Sequence, residues 1–185
     1  MAKGKESKPH IGIYGRRNHG KSSLINQLAD QDIAIVSDHA GTTTDPVKKS
    51  FEITGFGPVV LVDTAGIDDH GELGEKRIQK TRQSIKTVDL GILVIAHNLF
   101  GDFEQQVIGE FRKTSTPFVV IHNKSDQQEL QPDLRQMIED EYDCRVLDYN
   151  TIGPDHKGTL IDIIKQTIPE SAYKTPSLVG DLLQY

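Results

Sequence analysis

The stretch Gly15-Arg16-Arg17-Asn18-His19-Gly20-Lys21-Ser22 sets two glycines five residues apart and follows the second with a lysine and a hydroxyl. Those residue types at that spacing suit a phosphate group. Glycines allow a short loop to turn its backbone N–H groups inward around anionic oxygens, and a helix starting at the second glycine adds unsatisfied donors and the positive end of its dipole. The residues expected to line the phosphates are Arg17, Asn18, His19, Gly20, Lys21, Ser22 and Ser23. The Lys21 ammonium would reach the terminal phosphates and the Ser22 hydroxyl would meet a magnesium ion. Further along, Asp63-Thr64-Ala65-Gly66 supplies a carboxylate for the same magnesium and a glycine whose N–H can approach the terminal phosphate. Asn123-Lys124-Ser125-Asp126 supplies base discrimination. The Asp126 carboxylate can accept from both the ring N–H and the exocyclic amine of guanine, whereas adenine presents neither donor in that arrangement. Asn123 and Lys124 complete that part of the expected site. In this order the three stretches describe a site for GTP or GDP with magnesium, in which Lys21 and Gly66 act on the terminal phosphate.

Each stretch has to be held at the end of a strand, and the hydrophobic pattern supplies strands in the right places. Ile11 and Ile13 alternate ahead of the loop, and Leu24, Ile25, Leu28 and Ala29 paint one face of a helix behind it. Residues 47–54 and 58–62 read as an antiparallel hairpin around Gly55-Phe56-Gly57, with the second strand running into Asp63. The nearly all-apolar stretches 90–96 and 118–121 read as strands buried on both faces of a parallel sheet, and 145–147 as a last strand. Helices are marked by Phe103, Val107, Ile108 and Phe111, by Leu134, Met137 and Ile138 behind Pro132, and by Leu160, Ile161, Ile164 and Ile168. Over 75–86 the helical pattern is only weakly amphipathic, with Leu73, Ile78 and Ile85 as anchors, which predicts a loosely held helix. Residues 30–45 are polar. There Ile33, Ile35 and Val36 fit a short strand, while Gly41-Thr42-Thr43-Thr44-Asp45 fits an oxygen-rich loop better. Strands alternating with helices predict an α/β fold, a doubly wound, mostly parallel sheet with one antiparallel strand. Its ligand would lie at the carboxyl ends of the strands.

A chain of 185 residues has the size of one globular unit. The expected division is a polar, lysine-rich, disordered arm over 1–8, a GTP-binding domain over 9–169, and a linker over 170–185 that opens a following domain. The net charge of −6 speaks against a nucleic-acid partner and against a membrane-surface binder. Lys3, Lys5 and Lys8, and Arg16 and Arg17, are the local basic clusters. Cys144 is the only cysteine, so these residues hold neither an intrachain disulfide nor a cysteine-ligated iron–sulfur cluster. No apolar run reaches the roughly 20 residues that span a bilayer, and no secretory signal opens the chain. A cytoplasmic location is expected.

With all three nucleotide motifs in place, the chain resembles the translation-factor-related GTP-binding proteins, P-loop NTPases with a Ras-like sheet. Asn18 in the loop, Gly41-Thr42-Thr43-Thr44-Asp45, and Ile67 directly after Asp63-Thr64-Ala65-Gly66 are similar to the potassium-dependent branch that contains the tRNA-modifying GTPase TrmE. Residues 11–18, 31–38, 41–46, 69–73 and 179–183 resemble more closely still the GTPase domain of HydF, the scaffold of [FeFe]-hydrogenase maturation. Arg16-Arg17-Asn18 and Thr42-Thr43-Thr44-Asp45-Pro46 are the details that favour HydF. The resemblance implies GTP hydrolysis stimulated by a potassium ion on Asn18, with magnesium held by Ser22, Thr43 and Asp63; alignment alone selects Thr43 from its neighbours. Ile67 stands where many relatives carry a water-orienting glutamine. Glu75, with Glu72 second, is similar in spacing to the acid that takes this task in TrmE, though each reads equally well as a solvated charge. Implied partners are GTP, a second copy joined through a following domain, the other hydrogenase maturases and the hydrogenase. Two departures stand out. The usual Ser-Ala base-contacting motif is not recognisable, with Tyr149-Asn150 standing near its place, and His19 lies where small or apolar residues are commoner. The alternative is a TrmE-like or Era-like GTPase serving tRNA modification or ribosome assembly.

Overall fold

Seven consecutive buried residues, Leu90–Ala96, run through the middle of a six-stranded sheet. The computed structural model describes residues 8–16, 19–29, 47–53, 57–64, 74–149 and 157–169. In chain order the strands are β1 (His10–Gly15), β2 (Val47–Ile53), β3 (Gly57–Asp63), β4 (Leu90–Ala96), β5 (Phe118–Asn123) and β6 (Val146–Asp148). The helices are α1 (Lys21–Ala29), α2 (Gly74–Ile85), α3 (Asp102–Lys113), α4 (Pro132–Tyr142) and α5 (Lys157–Thr167). The sheet order is β2-β3-β1-β4-β5-β6. Only the β2–β3 hairpin is antiparallel; every other pairing is parallel. The predicted architecture is therefore the observed one. Residues 1–7 of the expected arm over 1–8, the stretch 30–46 and the expected linker over 170–185 lie outside the described residues.

Alternation along each strand sorts side chains onto two faces. Ile11 and Ile13 of β1, Val59 and Leu61 of β3, Leu90, Ile92 and Val94 of β4, and Val119 and Ile121 of β5 share one core with Leu24, Ile25 and Leu28 of α1 and with the apolar stripe of α5. Tyr14, Leu93, Ile95 and Val120 point the other way and pack against α2, α3 and α4. On that second face Gly12 and Gly91 are register partners. They clear a flat patch: the Tyr14 ring folds back over Gly12, Phe111 lies on Gly91, and the two rings meet edge to face at 5.3 Å. Any side chain at Gly91 would drive into the Phe111 ring.

Helix α2 is held more firmly than its sparse apolar pattern predicts. Thr81 and Ser84 are buried, and the Ser84 hydroxyl meets the Tyr14 phenol at 2.9 Å. The Arg82 guanidinium makes two hydrogen bonds, 2.9 and 3.1 Å, to the nearly buried Glu110 of α3. Polar side chains thus do here what a hydrophobic stripe does elsewhere.

Candidate functional site

The phosphate-loop residues stand where β1 ends. Gly15 pairs with Val94 so closely that a Cβ would sit 2.6 Å from the Val94 carbonyl oxygen. The chain then turns at Arg16, whose guanidinium leaves the loop sideways. Nε and Nη2 donate to the two carboxylate oxygens of Glu104 at 2.8 and 2.9 Å, and the guanidinium carbon lies 5.6 Å over the Phe103 ring. Gly20 has φ +91°, open to glycine and strained for other residues. Even a Cβ there would collide with the Asn123 side-chain amide. Lys21 opens α1, and its buried ammonium donates to the Gly15 carbonyl at 2.6 Å, beside the point where the loop begins. Ser22 and Ser23 follow on the exposed side of the first helical turn.

Asp63 ends β3 beside β1, in register with Ile13, and is buried. Next to it the Thr64 hydroxyl donates to the Ile13 carbonyl at 2.5 Å, which ties the start of that segment to the root of the phosphate loop. A buried carboxylate on one strand end and a serine hydroxyl at the head of the adjoining helix are hard oxygen donors, the set that suits magnesium. These two residues would hold that ion and balance phosphate charge. The remaining expected ligand, Thr43, lies outside the described residues, as do Arg17, Asn18, Gly66 and Ile67. Glu75 is the second residue of α2, and its side chain is not described.

Asn123 ends β5 and does not stand apart from the phosphate loop. It is buried, and its amide donates to the His19 carbonyl at 2.9 Å. The base-recognition stretch therefore begins as a strut under the phosphate loop. Lys124 follows with φ +61°, its stem close to Gly20, and Asp126 is exposed at the tip of the turn. That turn hangs from the end of β6: Ser125 N–H donates to the Tyr149 carbonyl at 3.1 Å, and Tyr149 N–H to the His122 carbonyl at 2.7 Å. The Tyr149 side chain is wholly buried with its phenol on Gln27 of α1, so it is a core residue and not a base contact. His122, also wholly buried, accepts from the Asn98 N–H through Nε2 at 3.0 Å, which assigns its proton to Nδ1, 3.0 Å from the Asp148 carboxylate. Asp148 in turn accepts from Leu130 N–H at 3.2 Å.

His19 is buried near Arg16, Glu104 and His97, and its ring Nδ1 has no hydrogen-bond partner among the described residues. Burial dominates its titration and pushes its pKa down to about 4, so the ring is neutral at pH 7. Sequence reading missed the Arg16–Glu104 pair. Two signals for it were present: an arginine right after the first loop glycine, and a glutamate at the third position of a helix. Nothing in the sequence joins residues 88 positions apart.

Residues 10–124, which carry the phosphate loop, the Asp63 strand and the first half of the base motif, match the profile of a family described as 50S ribosome-binding GTPase. The chain belongs to that GTPase family. Among curated proteins it is 40% identical over 124 residues to GTPase Der of Wolinella succinogenes, covering 65% of this chain and 26% of that one. It is 42% identical over 118 residues to the tRNA modification GTPase MnmE of Chromobacterium violaceum, covering 63% and 26%. The chain thus spans about a quarter of the length of the curated relatives it matches. A solved structure of Era in complex with MgGDPNP and nucleotides 1506–1542 of 16S ribosomal RNA shares the fold, with a TM-score of 0.68, 24% identity, and coverage of 88% and 57%. The chain carries a P-loop GTPase domain of the TrmE, Era and Der type, in keeping with the TrmE- and Era-like GTPase that the resemblance implies. Among the described residues, no helix is long and apolar enough to cross a membrane.

Proposed function

We propose that this chain binds GTP with magnesium, hydrolyses it with potassium stimulation, and serves as the GTPase domain of a HydF-like scaffold in [FeFe]-hydrogenase maturation. The observation that carries the first part is the joining of two motifs: Asn123 of the base-recognition stretch supports His19 and Gly20 of the phosphate loop, so base and phosphates are read by one connected unit. Lys21 neutralises charge on the terminal phosphates, Ser22, Thr43 and Asp63 hold magnesium, and the Gly66 N–H approaches the terminal phosphate. Asp126 selects guanine by accepting from its edge. Asn18 offers a neutral oxygen to a large, weakly hydrated cation, and that charge stabilises a transition state in which negative charge spreads over phosphate oxygens. Glu75 orients the attacking water. Support for HydF comes from the resemblance over Arg16-Arg17-Asn18 and Thr42-Thr43-Thr44-Asp45-Pro46.

The test is a comparison of GTP turnover in potassium and in sodium at equal ionic strength. Faster hydrolysis in potassium, abolished by Asn18→Ala with nucleotide affinity kept, is expected; equal rates would defeat the potassium reading. A second reading, a GTPase serving tRNA modification or ribosome assembly, draws on the 42% identity to MnmE and on the ribosomal RNA held by the Era neighbour. Salt-sensitive RNA binding would favour it over the hydrogenase role.

A further inference from the structure

Three contacts from other elements hold the described residues of the phosphate loop. Gly15 is fixed by Val94 of β4, and His19 and Gly20 by Asn123 of β5. The described ends of the loop meet only loosely, His19 N–H reaching the Arg16 carbonyl at 3.4 Å, at the long limit of a hydrogen bond. Arg16 itself is held firmly by its side chain, whose anchor is Glu104 of α3. The Glu104 carboxylate is wholly buried and accepts three donors: Arg16 Nε at 2.8 Å, Arg16 Nη2 at 2.9 Å, and the Gly101 N–H at 2.8 Å. A carboxylate this deep requires a counter-charge. The same group therefore caps α3 and binds α3 to the phosphate loop.

We propose that Glu104 is a positioning residue for nucleotide binding. By holding Arg16 it keeps the first turn of the loop in the shape that receives the phosphates. The inference rests on reading residues 15–22 as the phosphate cradle. It reaches further along α3, because Glu110 on that helix clamps Arg82 of α2. The phosphate loop and the helix that follows the Asp63 segment are thereby bolted to one rod. Arg16 is in this account an anchor for the loop and not a phosphate ligand.

The experiment uses the full 185-residue chain. Fluorescent GDP release and GTP turnover at saturation are measured for Arg16→Ala, Glu104→Ala, Glu104→Gln and the double alanine variant. Because displacing a site by about 1 Å can cost ~10²-fold, each single alanine variant is expected to speed GDP release at least about tenfold. The double variant should be no worse than the worse single, since both remove one clamp. Glu104→Gln, which keeps the Gly101 cap and one bond to Arg16, should fall between. Saturated turnover should fall much less than affinity, because Lys21 is untouched. The inference is overturned if Glu104→Ala leaves GDP release unchanged or slows it while Arg16→Ala weakens binding, for then Arg16 is itself a phosphate ligand that Glu104 competes for. Additive losses in the double variant overturn it as well. Urea unfolding without nucleotide checks each fold, and if Glu104→Ala does not fold, Glu104→Gln and Arg16→Lys carry the same test. Failure of the unmodified chain to bind GDP would overturn the phosphate-cradle reading and this inference with it.

Discussion

The two faces of the sheet are built from different chemistry. Under α1 and α5 the described core is apolar away from the strand ends, where Asp63, Asn123 and the Tyr149 phenol, which reaches Gln27, are buried polar groups. Under α2, α3 and α4 the apolar core is threaded with buried or nearly buried polar groups: Tyr14 with Ser84, Glu104 with Arg16, Glu110 with Arg82, and His122 with Asp148. Apolar contact is non-directional, so the first face sets stability without fixing any one atom. Hydrogen bonds and ion pairs are directional, and on the second face the Glu104–Arg16 pair runs to the phosphate loop. One face is a foundation and the other is a linkage.

Mutations can pull that contrast apart. The largest expected effect is on the foundation: Leu28→Ala, at a wholly buried position of α1, should cost about 2–5 kcal/mol in urea unfolding. GDP affinity of the folded fraction should stay as it was. A marked loss of affinity would show that this face also shapes the site.

Next comes acid. His19 has a folded-state pKa of about 4 against an ordinary value of 6.5, so between those values the unfolded chain binds the proton and the folded chain does not. This contribution to stability is complete above pH 6.5 and is lost as pH falls toward 4. Its full size is no more than about 3 kcal/mol. The difference in unfolding free energy between the parent and His19→Val should therefore change across that window and be flat above it. A difference that is flat from pH 7 to 4 would place the ring in solvent.

The smallest effect tests the linkage itself. Tyr14→Phe leaves the buried Ser84 hydroxyl without its partner and should cost ~1–2 kcal/mol, whereas adding Ser84→Ala should recover most of the loss. Two independent, additive losses in urea unfolding would mean that the pair is not coupled.

Legibility from sequence followed the same division. The apolar face was readable because alternation in β1, β4 and β5 and the spacing of Leu24, Ile25 and Leu28 carry their own period. The nucleotide motifs were readable because their residue types are dictated by phosphate and base chemistry. The linkage was not. Glu104, Thr81 and Ser84 look like surface residues of helices, and only the tertiary pairing that buries them reveals otherwise. Helix α2 therefore read as loosely held, and Arg16 read as part of a basic cluster although its charge is spent on Glu104. Tyr149 stands near the place of the base-contacting motif in sequence, and its burial with the phenol on Gln27 makes it a core residue, which its position alone does not reveal.

The margins of the sheet bear on how this domain can associate. On one side the outermost strand, β2, exposes Lys48, Ser50 and Glu52; on the other, β6 spans three residues. A charged margin and a very short one are both poor templates for a strand from another molecule. Two copies meeting by chance have no easy way to continue one sheet into the next. Among the described residues, association would then draw on helices or loops rather than on the edges of the sheet.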